Sequence, residues 1–355
     1  MKKVQVAVLG ATGMIGQRFV QLLEDHPWFE IEGLYASERS DGKKLKEVNK
    51  VKDYSFRPET MERRVEQIDV AKIGKNCRIA FSGLPTDIAK DAETALAEVG
   101  VAVFSNAAAH RMDQDVPLLI PEVNPEHLEV ARSQATFKQN GGFIVTNANC
   151  STTGLAPPLK AMQDAFGLKL VCVSTYQAVS GAGYPGVPSL DILGNVIPYI
   201  KNEEEKMEEE IHKMLGKVTQ NGFEPANFDM LASCARVPVI DGHLESAVVL
   251  CQKDPSAAQV VKALREFRSE PQRLELPTAP IFPIIVRDEP DRPQPHWDAN
   301  AGEPARARGM AVTVGRVRKK DKYVKLFLIS HNTLRGGAGG SVLNAELAQA
   351  KGLLK

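Results

Sequence analysis

The sequence has no excess charge, no apolar run of membrane length and no paired cysteines, and each absence removes a class of function. Its 44 Lys and Arg balance 44 Asp and Glu, so no overall basic field draws it to nucleic acid or an anionic membrane. Any anionic ligand must be held by local arginines and lysines. No stretch approaches the roughly 20 apolar residues of a membrane helix. Met1-Lys2-Lys3 ahead of Val4–Leu9 has the look of a signal peptide, but Gly10-Ala11-Thr12-Gly13 cuts the apolar run short. The cysteines, Cys77, Cys150, Cys172, Cys234 and Cys251, are odd in number, scattered and without a CxxC pair. That pattern argues against a disulfide framework or a zinc site, and no metal is expected. No internal repeat is visible. The expectation is a cytoplasmic protein of ordinary globular composition, 43% hydrophobic and 25% charged.

At 355 residues the chain suits two domains. Val4–Leu9 reads as a short buried strand running into a glycine turn, and Met14–Leu23 carries apolar residues at helical spacing. Residues 30–35, 78–82, 101–105 and 143–146 read as further strands, with an alanine-rich helix over Thr86–Glu98. Strands alternating with helices predict an α/β, doubly wound parallel sheet of Rossmann type. Beyond Cys150 the texture changes. Leu168–Gln177 reads as a long strand, and residues 236–251 as a pair of strands folded at Asp241-Gly242, a tight-hairpin signal. Residues 308–317 and 322–330 form another hairpin-like pair. This half predicts an α+β domain with a mixed sheet. Residues 203–215 read as a charged helix, residues 270–306 as a proline-rich crossover or interface arm, and residues 341–354 as an amphipathic helix that packs back on the first domain.

Gly10-Ala11-Thr12-Gly13-Met14-Ile15-Gly16 is a GxxGxxG turn directly after a strand and opening a helix. Glycines there allow a sharp turn and close backbone approach, and the helix N-terminus offers N–H donors to a pyrophosphate. The end of the second strand is followed by Ser37-Glu38-Arg39-Ser40. Ser37, Arg39 and Ser40 suit a 2′-phosphate, whereas Glu38 alone would suit the ribose hydroxyls of NAD. A solvated polar loop is the plain alternative. The reading favours NADP.

Asn149-Cys150-Ser151-Thr152 stands where a strand gives way to a helix. A thiolate at Cys150 would be stabilised there by the helix dipole and unpaired N–H groups, and the Asn149 amide could donate to a developing oxyanion. Cys77, Cys172 and Cys251 lie in apolar stretches and read as inert. A cysteine nucleophile needs a proton partner. His26, His127 and His212 read as surface residues and His296 lies in the proline-rich arm, leaving His110, His243 and His331. In a two-residue hairpin His243 would oppose Ile240, which puts Arg236 and His243 on one face. On spacing alone a structural histidine remains an equal alternative.

Asn149-Cys150-Ser151-Thr152, the run from Thr175 through Gln177 to Gly183, and the Arg236…His243 pair resemble the aspartate-semialdehyde dehydrogenases. Ile197-Pro198-Tyr199-Ile200 before Glu203-Glu204-Glu205-Lys206, and the run from Asn332 to Gly340, resemble the archaeal and fungal branch of that family. The likeness runs from Gly10 to the final helix. It implies that Cys150 attacks the aldehyde, that hydride transfer to NADP leaves an acyl thioester, and that phosphate releases the acyl phosphate, in the aspartate pathway to lysine, threonine and methionine. It further implies His243 as general acid/base, Gln177 as orienting group, Arg236 on the substrate carboxylate and Glu204 on its ammonium, with Glu203 and Glu205 open alternatives. Lys206 and Arg111 would hold phosphate. Gly10, Thr12, Gly13, Met14, Ile15, Gly16, Ser37, Arg39, Ser40, Ser180, Gly181, Asn332 and Gly337 would line NADP. The implied division is a cofactor domain over 1–149, completed by 333–355, and a catalytic and dimerisation domain over 150–332, in a homodimer or homotetramer. A malonyl- or succinyl-CoA reductase and a non-catalytic NADP-binding regulator are the alternatives on the same scaffold.

Overall fold

A computed structural model describes residues 2–219 and 222–354. The chain divides into two compact units, one from the described parts of Met1–Leu119, Glu126–Ala148 and Gly337–Lys355, the other from Ile120–Pro125 and Asn149–Gly336.

The first unit is built on β1 (Val4–Leu9), β2 (Phe29–Ala36), β3 (Val65–Gln67), β4 (Ile79–Ser82), β5 (Ala102–Ser105) and β6 (Phe143–Thr146). They form one sheet in the order β3-β2-β1-β4-β5-β6, parallel throughout. Every residue of β4, β5 and β6 is buried, as expected for parallel strands covered on both faces. The strand order reverses between β1 and β4, which opens a crevice at their carboxyl ends. The Gly10 turn lies there. Gly10 has φ +72°, and a Cβ on it would stand 2.6 Å from the Gly83 carbonyl oxygen. A Cβ on Gly16 would stand 2.1 Å from the Gly10 oxygen, so the helix Met14–Leu23 starts pressed against the turn it follows.

The helix Gly339–Ala350 belongs to this unit and is buried at every position from Gly339 to Ala348, rather than amphipathic. His26 explains part of this. Its Nδ1 accepts N–H bonds from Trp28 and Phe29, so Nε2 donates to Glu346 Oε1 at 2.8 Å. Both side chains are fully buried. The surface assignment of His26 is therefore wrong, and that of His127, also fully buried, fails with it; His212 is half-buried on the Phe228 carbonyl.

The second unit contains β7 (Leu168–Gln177), a small hairpin of β8 (Lys217–Thr219) and β9 (Gly222–Glu224), β10 (Asp229–Arg236), β11 (His243–Cys251), β12 (Ile284–Arg287), β13 (Val312–Lys320) and β14 (Tyr323–Ser330). Its mixed sheet runs β10-β7-β11-β14-β13-β12. The hairpin expected at Asp241-Gly242 does not form. β7 lies between β10 and β11, parallel to the first and antiparallel to the second, so residues 237–242 cross the end of β7. Gly242 does take a positive φ of +96°, but as part of that crossover. The β13–β14 hairpin is present, turning at Asp321 with φ +52°. The proline-rich stretch supplies β12, an edge strand paired with β13, besides its short helices.

Gly16→Ala should cost about 1–3 kcal/mol or more, the range for overpacking a site that cannot relax, because the clash is with backbone. Urea denaturation of the two proteins measures it.

Candidate active site

Cys150 is the first residue of the helix Cys150–Phe166. Asn149 caps that helix: its side-chain oxygen accepts the N–H groups of Ser151 and Thr152 at 2.9 and 3.3 Å, and its own N–H donates to Glu210 at 2.6 Å. The cap satisfies two of the orphan donors and leaves the positive end of the helix at Cys150. Two glycines let the main chain close around this point. A Cβ on Gly336 would lie 2.8 Å from the Cα and Cβ of Cys150, and one on Gly154 would lie 2.4 Å from Ser330 Oγ.

The Cys150 sulfur stands 3.2 Å from His243 Nε2. On the other side of the ring, His243 Nδ1 accepts the main-chain N–H of Ala178 at 3.1 Å. Arg236 donates from Nη1 to the Ala178 carbonyl at 2.8 Å. One residue's main chain thus seats both side chains, and Gly181 makes room for them, since a Cβ there would come 2.9 Å from Arg236 Nη1 and 3.0 Å from His243 Cε1. Burial, then Arg236, then His331 push the His243 imidazole down to about 3. At neutral pH it is uncharged. Burial pushes the Cys77 and Cys234 thiols up to about 12 and that of Cys251 to about 11, so these three are poor nucleophiles.

Gln177 is buried and donates to Glu203 Oε1 at 2.9 Å and to Thr175 Oγ1 at 3.2 Å. Glu203 is the glutamate that faces these groups. Glu204 turns instead to the edge of β10, where Oε1 accepts the Cys234 N–H at 2.8 Å. Lys206, one turn along from Glu203, is half-buried. Glu245, two residues beyond His243 on the same face of β11, went unread in the sequence. It is fully buried, neither carboxyl oxygen has a hydrogen-bond partner, and burial followed by Glu203 raises its pKa well above the carboxylate range. It is held neutral. Nothing local marks it except its period-two spacing from His243.

Of the remaining candidates, Asn332 is a clamp. It accepts the Gly242 N–H at 2.8 Å and donates to Ser180 Oγ at 2.8 Å. In the first unit Gly13 precedes the helix of Met14, Ile15 and Gly16 as its N-cap, while Ser37 and Arg39 are exposed just past β2 and Ser40 is half-buried. Arg111 is buried and donates to the Asn106 carbonyl at 2.8 Å. Gly337 has φ −143° and ψ −120°, a break just before the last helix. No helix among the described residues is long and apolar enough to cross a membrane.

Two family models match the chain: the NAD binding domain of semialdehyde dehydrogenases over residues 5–131, and their dimerisation domain over residues 159–335. The aspartate-semialdehyde dehydrogenase of Archaeoglobus fulgidus is 48% identical over 344 residues, covering 96% of this chain and 97% of the relative. That of Methanothermobacter thermautotrophicus is 47% identical over 348 residues, covering 97% and 98%. Among solved structures, the aspartate semialdehyde dehydrogenase with NADP from Candida albicans superposes with a TM-score of 0.89 at 40% identity, over 99% of this chain and 100% of that one. With its cysteine at a capped helix start, its histidine on the sulfur and matches of this extent, the chain belongs to the aspartate-semialdehyde dehydrogenase family.

Proposed function

We propose that this chain oxidises L-aspartate 4-semialdehyde with phosphate and NADP to 4-aspartyl phosphate through a thioester on Cys150, and catalyses the reverse reduction in biosynthesis. The observation that carries this reading is the 3.2 Å contact between a helix-start cysteine and a neutral buried imidazole. An α-amino acid aldehyde also needs a cation for its carboxylate and an anion for its ammonium, and Arg236 and Glu203 are both buried beside the pair. Arg236 takes the carboxylate. Glu203, which faces Gln177, takes the ammonium in place of Glu204, which turns to the Cys234 main chain at the edge of β10. Gln177, held by Glu203, orients the intermediate. Lys206 binds phosphate. NADP is the cofactor that the Candida albicans enzyme carries, and the exposed Arg39 with Ser37 and Ser40 suits its 2′-phosphate. Gly10, Thr12 and Gly13, with the N–H groups of Met14, Ile15 and Gly16, hold the pyrophosphate. The first unit is the cofactor domain, the second the catalytic and dimerisation domain. When bound, NADP accepts the hydride.

The chain assembles at least as a dimer through its second unit. The outer face of the mixed sheet supports this: Leu231, Cys172 and Val248 stand side by side across β10, β7 and β11, with Leu231 exposed and the other two half-buried in the single chain.

A steady-state assay with the semialdehyde should show NADPH production that requires phosphate; its absence sinks the reading. Cys150→Ala should abolish turnover while leaving the melting temperature near that of the parent. Arg39→Ala should weaken NADP binding about 10–100-fold, the worth of a charge-assisted bond, and leave NAD binding nearly unchanged; an equal loss for both, read by titration calorimetry, removes Arg39 from the 2′-phosphate. Sedimentation at micromolar concentration should give a dimer or larger species, and a fully active monomer would end the assembly proposal.

A further inference from the structure

The charged helix Glu203–Met214 is bound down along most of its acidic residues. Of its glutamates only Glu205 and Glu209 are exposed, and each of the others accepts a hydrogen bond. Glu204 and Glu208, one turn apart, take the main-chain N–H groups of Cys234 and Ala232 at 2.8 and 2.9 Å. β10 is an edge strand, and two carboxyl groups at an i,i+4 step cover N–H groups that a neighbouring strand would otherwise bond. Glu203 and Glu210 are the buried pair. Seven residues apart, they share one face of the helix, roughly 10 Å from each other along its axis. Glu203 accepts from Gln177 at 2.9 Å. Glu210 Oε2 accepts the main-chain N–H of Asn149 at 2.6 Å, and Asn149 is the N-cap of the helix that begins at Cys150.

We propose that Glu210 is a positioning residue for Cys150: through the Asn149 N–H it fixes the start of the nucleophile's helix relative to Glu203. One helix then sets both the carboxylate that takes the substrate ammonium and the place of the sulfur. The inference rests on the proposed function for those two roles.

Asn149 lies outside the strand before it and the helix after it, with φ −51° and ψ 146°. Its N–H belongs to the donors that a helix cannot satisfy internally. Its side-chain oxygen is engaged by Ser151 and Thr152, so the cap is held inward by its side chain and outward by its main chain. A second bond, from Gln163 to the Leu215 carbonyl at 3.3 Å, joins the same two helices farther along. Removing the acceptor at 210 would leave a buried N–H without its partner, which costs more than the bond itself is worth. The cap would turn to find another, and the sulfur would leave its 3.2 Å contact with His243 Nε2. Negative charge at this point would oppose a thiolate on Cys150, so what Glu210 contributes is an acceptor oxygen at the right reach.

Three substitutions separate the acceptor from the charge. Glu210→Gln keeps a carbonyl oxygen at the same reach without the charge, Glu210→Asp keeps the charge but withdraws the oxygen by one methylene, and Glu210→Leu removes both. Alkylation of Cys150 by iodoacetamide in the absence of substrate, less the rate for Cys150→Ala, reads the sulfur whichever aldehyde the enzyme accepts. Glu210→Asp and Glu210→Leu should slow alkylation and lower kcat about 10–100-fold, the order for a slightly misplaced reacting group. KM for the semialdehyde should change little, because Arg236 and Glu203 are untouched. Glu210→Gln should recover most of both losses. Should Glu210→Leu fail to fold, the comparison of Glu210→Asp with Glu210→Gln decides alone. Glu210→Gln as slow as Glu210→Leu, or Glu210→Asp as fast as the parent, overturns the proposal. A parent no more reactive than Cys150→Ala would sink the reading of Cys150 itself, and this proposal with it.

Discussion

The passage of residues 237–242 across the end of β7 sets the geometry at Cys150. Three main-chain hydrogen bonds tie that passage to Gln177, Val179 and Ser180, and the peptide between them holds Arg236 by its carbonyl and His243 by its N–H. Neither side chain is positioned by another flexible side chain. A guanidinium and an imidazole on separate strands thereby behave as parts of one rigid frame, with rotamers fixed before any ligand arrives. Such preorganisation is where electrostatic catalysis gains most, because nothing reorients when charge develops.

Burial sets the charge states in this frame. The same desolvation drives His243 down and Glu245 up, in each case toward the neutral form. A charged Glu245 would raise the cost of a thiolate, and a charged His243 would compete with Arg236 for an anion. Arg236 and Glu203, side chains of opposite sign, are both buried there. The pair presents a pattern of opposite charges rather than a net field. Recognition then depends on spacing, not on attraction at a distance.

Much of this was legible in the sequence, and the misses have physical causes. β4, β5 and β6 could be read because strands buried on both faces are apolar without interruption. Cys150 stood out because it alone of the cysteines sits in a polar segment at a strand-to-helix junction; that Asn149 caps the helix is visible only in the structure. The Asp241-Gly242 turn was read as a hairpin because turn chemistry is local, while the insertion of β7 between β10 and β11 is not. Arg236 and His243 do meet, but through Ala178. His26 was placed on the surface because its partner, Glu346, lies 320 residues away. Glu203 and Glu204 are neighbours of equal charge, and only the rotation of their helix against β10 separates the one facing Gln177 from the one facing Cys234.

The first unit is made from both ends of the chain. Its sheet is complete at Thr146, yet the helix Gly339–Ala350, buried at nearly every position, follows the whole of the second unit in sequence. A nascent chain therefore exposes the apolar surface that this helix covers, and the Nε2–H of His26 awaits Glu346, while the entire second unit emerges. All six strands of the parallel sheet precede the mixed sheet in sequence, and only the helix that covers part of it follows. Disruption of the helix Gly339–Ala350 would accordingly injure the unit that is first in sequence, and the interval before this helix docks is when that unit's apolar surface is most exposed to aggregation or to a chaperone.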